Sequence, residues 1–171
     1  MVILAVGGRI EVCRSEPPVR VPARLLNELR EHARETHPEE CCGLLVGPAR
    51  GRFEELHRCR NEMTRLHQSD PATHPRDGRE AFHMNEADYH RVLRDAEERG
   101  LLVTGVYHSH AEAGAYFSEM DQDYAAQPGF PFPEAIHVVI SVVDGLARDV
   151  AAFEPADAGF VGRLVEAEAA S

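Results

Sequence analysis

Residues 101–107, Leu-Leu-Val-Thr-Gly-Val-Tyr, form an almost unbroken apolar run that leads directly into His108-Ser109-His110. Such a run, bounded upstream by Gly100, reads as a buried strand with polar side chains delivered at its end. A buried strand must be covered, and the rest of the chain alternates between segments of strand and helix character. Together these predict an α+β fold, a mixed, curved β-sheet flanked by helices.

Upstream, residues 2–6 and 10–13 flank Gly7-Gly8-Arg9 and suggest an N-terminal hairpin within residues 1–18. Pro22 opens a helix in which Leu25, Leu26, Leu29 and Ala33 recur at helical spacing, ending near His37-Pro38. Residues 41–46 are a compact apolar run closed by Gly47-Pro48, read as a buried strand, and Gly51-Arg52 turns the chain into a second strand over 53–60. Residues 61–79 are polar, interrupted by Pro71, Pro75 and Gly78, and read as a long loop. A short strand is expected at 81–84. Asn85 then caps a helix with Tyr89, Val92, Leu93 and Ala96 on one face, ending at Gly100. Residues 118–126 read as a short helix closed by Pro128-Gly129. Residues 135–143 are strongly β, with Asp144-Gly145 turning into a strand over 148–153. The tail from 156 to 171 suggests a strand followed by a helix. Linker-like composition is missing between these blocks, so one domain spanning 1–171 is expected.

Charge and cysteine usage narrow the function classes. The 171 residues carry a formal net charge of −11, which disfavours a nucleic-acid partner because phosphate binding needs basic surface. The apolar residues before Gly7-Gly8 lack a basic flank and are too few for a signal peptide or membrane span. Cys13, Cys41, Cys42 and Cys59 contain no C-x-x-C pair, so reduced thiols in a cytoplasmic protein are expected.

His108 and His110 are two residues apart and would share one face of an extended strand. Asp121 follows His110 by eleven residues and can return as a third ligand after a turn. Two histidines and a carboxylate with an open fourth position make up the ligand set of a catalytic zinc site. H-x-H also arises by chance, so its spacing leaves open one core and one exposed histidine. Ser118-Glu119-Met120-Asp121 reads independently as a capping box. The two readings are compatible, because a capped helix start would hold Ser118 and Asp121 rigidly and favours negative charge.

Taken together, His108-Ser109-His110, Ser118 and Asp121 spell H-x-H-x7-S-x2-D, which resembles the signature of the JAMM (MPN+) zinc metallopeptidases. A second element, Glu40-Cys41-Cys42-Gly43-Leu44-Leu45-Val46-Gly47, is similar to the E-x-x-G-x-x-x-G strand of that family. The resemblance covers about residues 19–155, and its two motifs occur in the family's order. It implies a fold with a cytidine-deaminase-like outline and one Zn²⁺ per chain held by His108, His110 and Asp121. It further implies that Glu40 orients and deprotonates a water and that Ser118 stabilises the oxyanion. Ala111 departs from the pattern, since many members have proline there.

Rival assignments fit less well. Glu39 has the wrong distance to Gly43 and reads as an exposed strand-edge acid, and Asp123 has the wrong offset from Ser118. His137, inside an apolar strand, reads as a core histidine, while His67, His74, His83 and His90 have no partner spacing. His110-Ala111-Glu112 spells the H-x-E of a nucleoside deaminase, but the P-C-x-x-C that chemistry needs has no match after Cys59. No spacing supports a cysteine peptidase at Cys41 or Cys42. The resemblance therefore implies a zinc metallopeptidase acting on an amide or isopeptide bond at the C-terminal tail of a ubiquitin-like or sulfur-carrier protein. A non-catalytic MPN-type scaffold is the alternative. The N-terminal hairpin leaves a homodimer open, because its edge could pair with a second copy or complete its own sheet.

Overall fold

The computed structural model describes residues 8–157 and 159–169. Seven strands, β1 (Val19–Pro22), β2 (Cys42–Gly47), β3 (Glu55–Cys59), β4 (Leu102–Ala111), β5 (Ile136–Val143), β6 (Leu146–Ala156) and β7 (Gly159–Glu168), form one sheet. Its order is β1-β7-β6-β5-β4-β2-β3. The β1–β7 and β4–β5 pairs are parallel and the others antiparallel, so the sheet is mixed as expected.

Side-chain alternation gives this sheet two buried faces. Helix α1 (Ala23–Thr36) lays Leu25, Leu26, Leu29 and Ala33 against Leu45, Tyr107, Val138 and Ile140. Helix α3 (Glu86–Glu98) covers the other face, packing Val92 and Ala96 with Leu44, Val46 and Val106. Burying a residue such as Leu29 or Val106 contributes about 1.5–3 kcal/mol. This double cover is why β4 reads as continuously apolar. The Asn85 side chain accepts the Asp88 N–H at the start of α3, as its sequence predicts. Asp144 and Gly145 both take positive φ at the β5–β6 turn, which suits a tight hairpin of the primed type.

Gly43 is required by a close approach. A Cβ there would lie 2.5 Å from the Tyr107 ring, inside contact distance. The Tyr107 ring occupies the space a side chain at Gly43 would need, and its hydroxyl meets His32 Nδ1 at 2.7 Å in the core under α1. Burial then pushes the His32 pKa down to about 4.

Four sequence expectations need correction or qualification. Residues 61–79 are not a plain loop, because they include helix α2 (Met63–Ser69). This helix buries no residue, so it has no apolar stripe to read. Residues 81–84 form no strand. Met84 makes one isolated bridge to Asn61, and Ala81, Phe82 and Met84 are buried by packing instead. Residues 159–168 are strand β7, with no helix among the described tail residues, because the segment is captured between β6 and β1. The first half of the expected N-terminal hairpin, residues 2–6, lies outside the described residues. Ile10 and Val12 bridge to Phe117 and Gly162 instead. No helix among the described residues is long and apolar enough to cross a membrane.

Candidate metal centre

β4 continues in extended conformation through Ala111, so His108 and His110 share its α3-side face. Both are buried. Helix α4 (Glu119–Ala125) begins immediately after Ser118 and brings its first turn over them. Ser118 Oγ accepts the Asp121 N–H at 3.0 Å, and Asp121 Oδ2 accepts the Ser118 N–H at 3.0 Å, completing the capping box. The same carboxylate lies 3.1 Å from His108 Nε2 through Oδ1 and 3.3 Å from His110 Nε2 through Oδ2. Capping and convergence on the histidines are thus served by one side chain. Burial alone would raise the Asp121 pKa, but His108 and His110 outweigh it and hold the carboxyl far below its ordinary range.

The donor set suits a cation. His110 Nδ1 lies 2.9 Å from the Gly114 carbonyl, which can only accept, so Nδ1 carries the hydrogen and a neutral ring keeps its lone pair on Nε2. That lone pair faces His108 Nε2 at 3.2 Å. The potential ligand atoms of His108, His110 and Asp121 all lie within 4.8 Å of one another. Phe82 stacks on the His108 ring with centroids 4.6 Å apart and fixes its plane. Buried imidazole nitrogens and a carboxylate gathered this closely are compatible with a tetrahedral zinc site, which uses such ligands.

Glu40 reaches the same place from another strand. Cys42 pairs with His108, and the Ser109 N–H donates to the Cys41 carbonyl at 3.1 Å, continuing the register towards Glu40 and His110. Glu40 therefore falls on the histidine face, and it lines one cavity with His110, Ser118 and Asp121. Burial first, and then the Asp121 charge, raises its pKa well above the ordinary carboxylate value, while Arg76 works against them. A carboxyl that lines the same cavity as His110, Ser118 and Asp121 is placed to exchange a proton with a molecule bound there. Ser118 also lines the cavity, and its oxygen already accepts the Asp121 N–H, which leaves its hydroxyl hydrogen available for donation.

Other sequence candidates sit elsewhere. Glu39 is half-buried in a bend rather than on an exposed strand edge, and it accepts a hydrogen bond from Thr64 Oγ1. Asp123 is exposed. Glu112 leaves the H-x-E arrangement altogether and accepts from the Asp144 N–H at 3.2 Å. His137 is enclosed by Phe117, Phe130 and Phe160, and burial pushes its pKa down to about 3. Cys41 and Cys59 are buried thiols pushed up to about 12, unsuited to act as nucleophiles near neutral pH. The cavity also contains Arg76, Arg79, Tyr116 and Tyr124, none of which the sequence singles out. Arg76 and Arg79 occupy the polar stretch before α3, where no periodicity marks a role.

The family model described as prokaryotic homologs of the JAB domain matches residues 22–154. The chain belongs to this family. Curated relatives include proteins named CysO-cysteine peptidase from Mycobacterium bovis and Mycobacterium tuberculosis. Each is 26% identical over 137 residues, covering 80% of this chain and 82% of the relative. Among solved structures, a Desulfitobacterium hafniense protein superposes with a TM-score of 0.67 at 21% identity, covering 88% of this chain and 93% of its own. A Salinibacter ruber protein does so at 0.58 and 28% identity, covering 87% and 90%. These likenesses agree with the curved mixed sheet and its flanking helices.

Proposed function

We propose that this JAB-family chain is a zinc-dependent metallopeptidase that hydrolyses an amide or isopeptide bond at the C-terminal tail of a ubiquitin-like or sulfur-carrier protein. The convergence of His108, His110 and Asp121 at the end of β4 carries this reading. The name CysO-cysteine peptidase, borne by relatives, supports hydrolysis and a protein–amino acid conjugate as substrate.

His108, His110 and Asp121 would hold one Zn²⁺. When bound, zinc supplies Lewis acidity that polarises a carbonyl and makes water a usable nucleophile near neutral pH. Glu40 takes a proton from the attacking water and returns it to the departing amine, so the amide bond is exchanged for a carboxylic acid and a free amine. The Ser118 hydroxyl donates to the oxygen that gains charge as the carbon becomes tetrahedral. Asp121 keeps Ser118 in place through the capping box. Phe82 and the Gly114 carbonyl hold the two imidazoles in fixed orientations. An extended tail could reach this centre through the cavity lined by His110 and Ala111.

Protein purified under metal-replete conditions should contain close to one zinc per chain. It should release the tail from a Gly-Gly-linked conjugate, with activity abolished by chelator and restored by zinc. Absence of stoichiometric zinc would overturn the enzymatic reading and leave a binding scaffold.

A further inference from the structure

Two of the three ligand candidates sit on a rigid element. His108 and His110 lie on β4, which is paired on both sides, with β2 and with β5. Asp121 is different. It belongs to α4, which has seven residues and fully buries only Asp121. A helix that short is marginal by itself, so its place depends on what holds its first turn.

That hold comes from the N-terminal segment. Ile10 and Phe117 exchange two main-chain hydrogen bonds immediately before the Ser118 cap. The Ile10 N–H donates to the Phe117 carbonyl at 2.8 Å, and the Phe117 N–H to the Ile10 carbonyl at 3.0 Å. Next to Asp121, the Gln122 side chain donates to the Gly8 carbonyl at 2.8 Å. Ile10 is buried among Phe117, Val139 and Phe153. The Arg9 guanidinium, paired with Glu11 at 2.9 Å, lies 4.4 Å from the centre of the Tyr116 ring, whose own centre is 4.9 Å from that of His110. At its far end the segment is tied to β7, where the Cys13 N–H donates to the Gly162 carbonyl at 3.0 Å. A side chain at Gly162 would collide with the Glu11 carbonyl, so glycine is required where the segment crosses the strand. Residues 8–13 lie outside the stretch 22–154 that the family model matches.

We propose that residues 8–13 form a strap that positions the metal centre, holding Phe117, Ser118 and the first turn of α4 so that the Asp121 carboxylate faces both histidines. Its role towards zinc rests on the metallopeptidase reading above. Arg9, Ile10 and Gln122 are positioning residues. The main-chain bonds to Phe117 fix the capped turn, and Arg9 holds Tyr116 beside the His110 ring. A ligand set in place in advance does not have to be ordered by the ion, and that ordering cost would otherwise weaken metal binding.

The test compares wild type with Ile10→Pro, which loses the N–H that the Phe117 carbonyl accepts, and with Ile10→Val, which keeps it. In chelator, the Ser118 and Asp121 amides should exchange hydrogen about tenfold or more faster in Ile10→Pro, with Val106 and Tyr107 in β4 unchanged. Zinc affinity, read by chelator competition, should fall about 10- to 100-fold, the usual cost of losing a partner that orients a ligand. The visible spectrum of the cobalt-substituted protein should change with it. Ile10→Val should match wild type on each measure. Unchanged exchange at Ser118 and Asp121 overturns the strap, and so does equal acceleration throughout the sheet, which is a general loss of stability. Faster exchange with undiminished zinc affinity overturns its role towards the metal. If Ile10→Pro does not fold, the exposed Arg9 decides. Arg9→Ala should speed the same two amides about two- to fivefold, the worth of an exposed cation–π contact, and Arg9→Lys should restore them. No change in Arg9→Ala then overturns the strap. If wild type takes up no zinc, the metallopeptidase reading alone fails, and acceleration confined to the start of α4 still supports the strap.

Discussion

The α3-side face of the sheet holds two buried histidine environments on adjacent parallel strands. His108 and His110 lie on β4 and His137 on β5, where His137 is in register with Val106 and His108 with Val139. All three rings are buried. His108 and His110 meet the carboxylate of Asp121, and His110 borders a cavity, whereas His137 meets the aromatic rings of Phe117, Phe130 and Phe160. Burial therefore does not distinguish the proposed ligands from a core histidine. The partner does: a carboxylate gathers the nitrogens around a cation-sized point, while an aromatic cage favours the uncharged ring.

The largest test of this contrast removes the partner. Asp121→Asn should abolish stoichiometric zinc and lower cleavage by about 10³-fold or more, since metal charge stabilisation is worth several kcal/mol at about 1.4 kcal/mol per tenfold. Metal analysis beside a rate assay checks both, and an Asn variant retaining zinc and rate would show that the carboxylate only caps α4. Glu40→Gln separates holding the ion from using it. Zinc should be retained while turnover falls by about 10²–10⁴-fold, the usual worth of a positioned acid–base group. Unchanged cleavage would remove Glu40 from that role.

Ser118→Ala should cost about 10²-fold in turnover through the lost oxyanion donor, with about 1 kcal/mol of stability through the lost cap. Parallel kinetics and urea melts distinguish these effects, and a stability loss without a rate loss would make Ser118 purely structural. The smallest expected effect lies at His137. Its pKa is depressed from 6.5 to about 3 and that of His32 to about 4, so in this window the unfolded chain binds the protons first. Each contribution is fully present above about pH 6.5 and is lost as pH falls towards the folded-state value. In chelator, to exclude metal loss, His137→Phe should retain more of its neutral-pH stability between pH 6.5 and 4 than wild type. A parallel loss in both proteins would assign the acid sensitivity elsewhere.

Legibility in the sequence followed the range of the rule involved. Alternation along one strand was enough to place His108 and His110 on the same side, and a four-residue cap was enough to tie Ser118 to Asp121. The α2 helix leaves no periodic signal in the sequence because it buries no side chain, and Asn61 and Glu62 hold its start by hydrogen bonds rather than an apolar stripe. Residues 81–84 look like a strand because they are apolar, yet Phe82 is buried against His108 and Tyr124, not by sheet pairing. The tail became a strand through its neighbours, since β7 is held between β6 and β1.

By itself, the sequence determined the buried strand, its two terminal histidines, the capped helix start and the glutamate–glycine spacing of β2. Each follows from backbone periodicity or hydrogen bonding within a few residues. Only the tertiary structure decided that Glu40 lies across from His110, that His137 is caged by phenylalanines, and that Arg76 and Arg79 share the cavity. Those placements depend on the β2–β4 register and on the Gly78 carbonyl meeting the Glu40 N–H. Such contacts join residues far apart in the chain, and no local pattern of apolar and polar residues encodes them.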